Sequence, residues 1–278
     1  MLRINVVTIF PEFFGGPLGL SIPARAAAAG AVEYRLVDLR DFTHDRHRTV
    51  DDYPYGGGAG MVMKPAPFFE AVASIGATAP IVLLAARGRR FSQADAVRFA
   101  AGTELTLLCG HYKDVDERVA DHLATEQLSI GDFVLTGGEP AALAIVDATV
   151  RLLPGAMSDH DSAYSDSFWG GSGVSAPSYT RPPEYRGHRV PEVLLSGDHA
   201  QVEAWRRAEA ERRTEARAAA QGAADLDAAR DRERWIAERA AEDARRREAR
   251  RQAAREEQAR AVARKAARRA RLEPPPED

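Results

Sequence analysis

The sequence predicts an α/β fold with a mostly parallel central sheet in its first part. Short β-branched and aliphatic runs alternate there with alanine-rich helical stretches, up to about residue 155. Such alternation is typical of parallel strands joined by crossover helices. With 278 residues, 45% of them hydrophobic, the chain is also long enough to bury a sizeable core. We therefore expect a globular α/β domain at the start of the chain.

The individual elements follow in order. Four apolar runs and a shorter fifth predict strands at Arg3–Phe10, Val32–Asp38, Ala79–Ala85, Leu105–Cys109 and Phe133–Leu135. Between them, segments of helical character predict helices at Pro23–Ala29, Ala66–Ile75, Gln93–Ala100 and Pro140–Leu153. The Gly- and Ser-rich stretch that follows has no usable periodicity and predicts a long loop or linker.

The rest of the chain has a helical composition. Ser196, Gly197 and Asp198 are typical helix-start residues ahead of an amphipathic run. Beyond Gln201 the composition turns to Ala, Arg and Glu, which favours helix but offers little core. We predict an α/β domain at 1–157, a linker or lid at 158–177, a helical domain at 178–225 and a charged helical extension at 226–278.

Charge is segregated along this C-terminal part, although the formal net charge of the chain is only −3. Asp225–Asp243 is acid-rich, whereas Arg245–Arg271 holds many arginines against Glu248, Glu256 and Glu257. A solvated single helix and an auxiliary RNA-binding surface are both compatible with this pattern.

The composition argues against several classes of protein. The single cysteine, Cys109, cannot form an internal disulfide, and the sequence contains no Cys/His cluster at metal-ligand spacing. We therefore predict no metal site. No apolar run approaches the roughly 20 residues of a membrane span, and the first residues do not resemble a secretory leader. We expect a cytoplasmic protein with no membrane partner.

A glycine-rich segment is the first unusual motif. Four glycines among residues 56–60 permit positive φ angles and leave the backbone accessible to a ligand or another chain. The segment lacks the Lys-Ser/Thr end of a P-loop and does not follow a strand as a dinucleotide motif would. A plain flexible turn is the alternative. Just upstream, His44–Arg48 combines basic and aromatic groups that could hold a phosphate and a base edge.

Two later segments predict ligand contacts. Leu107–Tyr112 runs from a buried strand into Gly110, at the edge where open α/β sheets bind ligands. Ser129–Pro140 places backbone amides beside apolar side chains, which suits an adenine ring with a sulfonium chain better than a triphosphate.

Acids and bases collect around the long loop. Arg151, Asp159–Asp161 and Ser165–Phe168 form a catalytic hypothesis, because loops on a rigid scaffold often carry reacting groups. An ordinary hydrophilic surface loop is the alternative. The following Pro177–Pro183 has rigid proline turns around Arg181, consistent with a linker that grips RNA or a partner subunit.

Taken in order, these segments resemble the bacterial TrmD family of tRNA (guanine-N1)-methyltransferases. The resemblance rests on FTHDRHRTVDD with PYGGGAGM, LLCGHY with DER, SIGDFVLTGGE, SDSF, YTRP and VPEVLLSG, over about residues 1–206. It implies a SPOUT-type parallel sheet with a C-terminal trefoil knot, which general folding rules would argue against. It also implies an obligate homodimer whose active site is shared across the interface.

The resemblance further implies a reaction and its partners. S-adenosylmethionine (SAM) would be the methyl donor and tRNA, not DNA, the substrate, with assistance by Mg²⁺ compatible with the family. The target would be N1 of the guanosine that follows the anticodon, at tRNA position 37, in tRNAs with a preceding guanosine. Matched residue by residue, SAM would contact Leu84, Gly110, Tyr112, Ile130, Gly131, Asp132, Phe133, Val134, Leu135, Gly137 and Gly138.

The same matching assigns Asp166 as the general base and Arg151 as the arginine that steadies charge on the guanine. The chemistry needs both, because guanine N1 carries a proton that must leave before the nitrogen can attack. Asp51 matches a residue that reads the preceding guanosine. His47 and Arg181, from the two basic segments above, are the other expected tRNA contacts.

The sequence departs from the family pattern in four places. Lys113-Asp114 stands where Glu-Gly is common after the tyrosine, and Ala86-Arg87 replaces a common Pro-Gln pair. Trp169–Ala176 differs and is one residue longer, and beyond Arg206 the chain is longer and more arginine-rich. Two alternatives stay open: another SPOUT RNA methyltransferase acting on ribose or a different base, and a catalytically idle RNA-binding protein that uses its arginine-rich tail.

Overall fold

A computed structural model describes residues 1–157, 166–169 and 173–270 of the chain. It divides into two compact units, Met1–Pro177 and Ser178–Asp278. Part of the predicted linker, residues 158–165 and 170–172, lies outside the described residues, and with it the candidates Asp159, His160 and Asp161. Residues 271–278 of the predicted extension lie outside them as well. The finer division at residues 157 and 225 stays a prediction.

The first unit is built on a five-stranded parallel sheet. Its strands are β1 (Leu2–Thr8), β2 (Val32–Asp38), β5 (Ile81–Arg90), β6 (Glu104–Cys109) and β8 (Glu126–Ser129). They lie in the order β2-β1-β6-β5-β8, and every neighbouring pair is parallel. A second, three-stranded sheet contains β3 (Asp51–Asp52), β4 (Val62–Met63) and β7 (Asp114–Val115). The predicted α/β class with a parallel sheet is confirmed.

Helices cover both faces of the large sheet, as its buried strands require. The α-helices of this unit are α1 (Gly15–Leu18), α2 (Ser21–Ala28), α3 (Pro65–Ile75), α4 (Gln93–Ala100), α5 (Glu117–His122) and α6 (Glu139–Val150). Short 3₁₀ turns occupy Pro11–Phe14 and Leu39–Phe42. On one face, Ile145 and Val146 of α6 belong to the same buried cluster as Ile4. On the other face, Phe68 of α3 belongs to the same cluster as Val7.

The last strand differs from the sequence prediction. Phe133–Leu135 was expected as a strand, but these residues lie in a loop, and all three side chains are exposed. The fifth strand is β8 instead, in which only Leu128 and Ser129 are buried. A short apolar run looks the same in sequence whether it fills a sheet or lines a cavity, so periodicity alone could not decide.

Strand β5 bends away from β8 before it ends. Leu84 and Arg89 both pair with Leu128, so the four residues between them bulge out of the ladder. Gly88 permits this arch, because a Cβ at that position would lie 2.6 Å from the backbone nitrogen of Leu128. The bulge places Ala85–Arg87 outside the flat sheet, as a wall beside its carboxyl edge.

An ion network holds the far end of this bulge. Arg89 pairs with the buried Asp95 at 2.8 Å and with Glu126 at 2.8 Å, and Arg98 pairs with Glu126 at 2.9 Å. Burial of Asp95 by itself raises the pKa of its carboxyl, but hydrogen bonds from Arg89, Ser92 and Arg98 outweigh burial and hold that pKa well below its usual value. The network ties β5, β8 and α4 together beside the bulge.

The second unit begins with a small hairpin and continues into one long helix. The hairpin pairs β9 (Glu184–Tyr185) with β10 (His188–Arg189), and a 3₁₀ turn follows at Glu192–Leu195. Helix α7 spans His199–Ala270. The Asp198 carboxylate accepts hydrogen bonds from the backbone nitrogens of Ala200 and Gln201, which confirms the predicted helix start. None of the helices in the described part of the chain is both long and apolar enough to span a membrane.

Candidate active site

A cavity of about 250 Å³ lies at the carboxyl edge of the large sheet. Its walls come from residues 83–87 within β5, from residues 110–115 after β6, and from the end of β8 and the loop that follows it, at residues 128–131 and 133–138. Ligands of open α/β sheets bind at this edge, so the fold itself places the cavity where a cofactor would be expected. The residues of the β5 bulge form one of its sides.

In the cavity wall, Gly110 and Gly138 allow two segments of backbone to pack directly against each other. The Gly138 N–H donates to the Gly110 carbonyl at 2.8 Å, and a single bridge joins His111 to Gly137. A Cβ at position 138 would lie 2.8 Å from the Cα of Cys109 and 3.2 Å from the nitrogen of Gly110. Only glycine permits this approach, which leaves bare backbone groups at the cavity wall.

All of the predicted SAM contacts except Asp132 line this cavity. The exception turns outward, and its carboxylate pairs with the Arg90 guanidinium, which holds the pKa of Asp132 below its usual value. Tyr112 adopts a positive φ of 61° and is half-exposed at the cavity. The structure therefore brings together residues that are far apart in sequence, while their contact with SAM stays a prediction.

Behind the cavity lies a buried carboxylate that sequence reasoning missed. Glu139, at the first turn of α6, is 3% exposed and accepts a hydrogen bond from the Thr8 hydroxyl at 2.7 Å. Its other oxygen lies 3.8 Å from His111 Nδ1, a buried nitrogen that has no hydrogen-bond partner in the described structure. Burial, together with the charge of Glu139, raises the pKa of the Cys109 thiol well above its usual value. A glutamate directly after two glycines at a helix start is the signal that could have revealed it.

The two departures from the family pattern beside the cavity contact each other. The Arg87 guanidinium pairs with the Asp114 carboxylate at 2.8 Å, and both residues line the cavity. Arg87 also pairs with Glu117 at 2.8 Å. The two residues that depart from the family pattern at positions 87 and 114 thus form an ion pair with each other.

Asp166 and Arg151, the predicted catalytic pair, lie together. Arg151 Nη2 donates to Asp166 Oδ2 at 2.5 Å, and the side chains are 29% and 48% exposed. Arg151 is the C-cap residue of α6, where the helix dipole favours a cation. Gly138 is the N-cap of the same helix. The 12 helical residues between Gly138 and Arg151 span a length of about 18 Å.

The expected tRNA contacts belong to different elements of the chain. Asp51 is in β3, opposite Met63 of β4. His47 is exposed in the preceding turn, where its backbone N–H donates to Asp45 Oδ1 at 2.9 Å. Backbone hydrogen bonds, the strongest from Thr49, lower the pKa of Asp45. Arg181 is exposed and belongs to the second unit.

Comparison with known proteins shows that the chain is similar to one family of tRNA methyltransferases. A family model described as tRNA (Guanine-1)-methyltransferase TrmD matches residues 2–220. A tRNA (guanine-N(1)-)-methyltransferase of Gloeobacter violaceus is 54% identical over 209 residues, which are 74% of this chain and 92% of the relative. The proteins of the same name from Dehalococcoides mccartyi (strain ATCC BAA-2266 / KCTC 15142 / 195) and Bacillus subtilis are 51% and 49% identical, over 77% of this chain and 87% and 89% of their own lengths. The matched region ends within α7.

Proposed function

The chain belongs to the tRNA (guanine-N1)-methyltransferase TrmD family, and on that premise we propose that it transfers a methyl group from SAM to N1 of the guanosine at tRNA position 37. The observation that carries the proposal is the glycine-walled cavity at the carboxyl ends of β5, β6 and β8. Family membership shows an enzyme, so the alternative of a catalytically idle RNA-binding protein is wrong.

The cavity is suited to the adenosine part of SAM. Leu84, Ile130 and Leu135 supply apolar surface for an aromatic ring. Backbone groups at Gly110 and Gly137 lie close enough to the cavity to meet the polar ring edge, since neither position carries a side chain. No lysine-bearing P-loop is present in the sequence, which argues for a ligand without a triphosphate. These features support SAM as the cofactor.

Bound SAM supplies an electrophilic methyl group; the protein has to prepare and position the acceptor. Asp166 acts as the general base that accepts the proton from guanine N1, because its carboxylate is half-exposed and can reach a substrate. Arg151 holds that carboxylate at 2.5 Å and supplies positive charge where the guanine ring accumulates negative charge as the proton leaves. Alignment of the methyl carbon with N1 and exclusion of water complete the requirements.

Helix α6 supports a homodimer with shared active sites. Gly138, which lines the cavity, lies at the start of this helix, the Arg151–Asp166 pair lies at its end, and the helix is about 18 Å long. Asp166 is not among the residues that line the cavity of its own chain. A second copy of the chain can provide the missing half of each site.

The remaining details follow from the family. We infer from membership of the family that the chain forms a trefoil knot around the cavity. We also infer that Asp51 reads the guanosine before the target, as a carboxylate can by accepting hydrogen bonds from a base edge. Contacts from His47 and Arg181, assistance by Mg²⁺ and a cytoplasmic location stay predictions.

A panel of unmodified tRNA transcripts tests the proposed substrate. We expect methyl acceptance from a transcript with two consecutive guanosines at the 3′ edge of the anticodon, and none when the second is replaced by adenosine. Replacing only the first guanosine should lower kcat/KM by about 10- to 100-fold, the range for one lost base contact. Asp51→Asn should abolish most of that difference. Equal acceptance by all three transcripts would overturn the assignment of the target.

A further inference from the structure

Two cationic side chains line the cavity, and their surroundings differ. The Arg87 guanidinium is surrounded by acceptors: Asp114 at 2.8 Å, Glu117 at 2.8 Å and the Gln127 side-chain oxygen at 3.0 Å. Its charge is therefore balanced within the protein. Lys113, the next charged residue along the cavity wall, has no ion-pair partner among residues 1–157, 166–169 and 173–270.

The glycine-rich loop positions this lysine. The backbone N–H of Lys113 donates to the Met61 carbonyl at 3.1 Å, which fixes the start of the side chain. A Cβ at Gly60 would lie 3.2 Å from the Cβ of Lys113, and a Cβ at Gly58 would lie 3.8 Å from its Nζ. Both glycines have positive φ angles, of 92° and 124°. The side chain therefore lies along the glycine-rich loop, and Lys113 is also one of the residues that line the cavity.

We propose that the Lys113 ammonium binds the carboxylate of the amino-acid part of the cofactor. The inference rests on the proposed function, since it takes SAM as the occupant of the cavity. SAM joins an adenosine to a methionine chain that ends in a carboxylate. The apolar and backbone walls suit the adenosine, and Lys113 is the cavity cation that has no ion-pair partner among the residues that the structure describes. Asp114, beside it, is already paired with Arg87 and does not compete.

A tRNA phosphate is the other anion that could reach this ammonium. Phosphate contacts position RNA on a protein without depending on the cofactor. We favour the carboxylate because Lys113 lines the same cavity as the residues expected to contact SAM. The two sources predict different results in a binding experiment.

Calorimetric titration with two cofactor analogues tests the proposal. S-adenosylhomocysteine retains the carboxylate, and 5′-methylthioadenosine lacks the whole amino-acid part. Lys113→Gln should weaken S-adenosylhomocysteine binding by about tenfold, the effect of losing one charge-assisted hydrogen bond at a solvent-accessible site. It should leave methylthioadenosine binding unchanged, which also shows that the variant is folded. Lys113→Arg should restore most of the loss.

Arg3→Gln is the matched control for the change in net charge. Arg3 pairs with Glu33 near the amino end of β1, away from the carboxyl edge that holds the cavity, so this variant should bind both analogues as the wild type does. An equal effect of Lys113→Gln on both analogues, or none on either, would overturn the proposal. Weaker tRNA binding with unchanged S-adenosylhomocysteine binding would assign Lys113 to a phosphate instead. A wild-type chain that binds neither analogue would overturn the cofactor assignment itself.

Discussion

Asp166→Ala should lower kcat for methyl transfer by about 10²- to 10⁴-fold, the contribution typical of a general base. The reason is that guanine N1 keeps its proton at neutral pH, and Asp166 is the carboxylate that Arg151 holds at 2.5 Å. Affinity for S-adenosylhomocysteine should change by no more than about twofold, because the proposed role of Asp166 is toward N1 of the guanine and not toward the cofactor. Single-turnover transfer to an unmodified transcript measures the first quantity and calorimetry the second.

Asp121→Ala is the control for this variant. Asp121 is an exposed carboxylate on α5, and its removal should leave both quantities unchanged. If Asp166→Ala retains more than about a tenth of the wild-type rate, Asp166 does not act as the base. If it loses cofactor binding as well, its role is structural.

Gly138→Ala should strongly weaken cofactor binding. The new Cβ would lie 2.8 Å from the Cα of Cys109 and 3.2 Å from the Gly110 nitrogen, and neither backbone can move without displacing the carboxyl end of β6. We expect affinity for S-adenosylhomocysteine to fall on the order of 100-fold, since shifts of about 1 Å in a binding site have effects of this size. Gly16→Ala is the matched control, because a Cβ there would meet no atom within 4 Å. Unchanged affinity in Gly138→Ala would show that the cofactor does not use this wall.

Combining these two variants tests the shared active site. Each homodimer of Asp166→Ala or Gly138→Ala should be inactive, for different reasons. A mixed dimer, isolated through two different affinity tags, should contain one intact cavity that faces one intact Asp166. It should therefore recover about half of the wild-type activity. No recovery would mean that each chain builds a complete site by itself.

Much of the fold could be predicted from periodicity. The strand Val32–Asp38 and the helix Gln93–Ala100 have the predicted bounds, because each is a separate run between clear breaks. The end of β5 could not be predicted: the bulge between Leu84 and Arg89 carries the strand into polar sequence that periodicity assigns to a loop. The strand prediction at Phe133–Leu135 was wrong for the opposite reason, because this apolar run lines a cavity and does not belong to the sheet.

The candidate site was predictable where its residues form motifs. Gly110 was expected at the edge of the sheet, and the family resemblance implied that it shares a ligand with the Ser129–Gly138 segment; both line one cavity. Glu139 was missed, because its burial depends on Thr8, a residue 131 positions away in sequence. The pairing of Arg87 with Asp114 was missed for the same reason: each looked like a separate departure until the fold placed them 2.8 Å apart.

The most direct test of the proposed reaction is the identity of the methylated nucleoside. Wild-type protein, labelled SAM and an unmodified transcript with two guanosines at the 3′ edge of the anticodon should yield labelled 1-methylguanosine as the sole product after complete digestion. Label on a ribose hydroxyl, or on any other ring atom of guanine, would contradict the roles given to Asp166 and Arg151. Methylation at those atoms does not require removal of the N1 proton, which is the step that these two residues are proposed to promote.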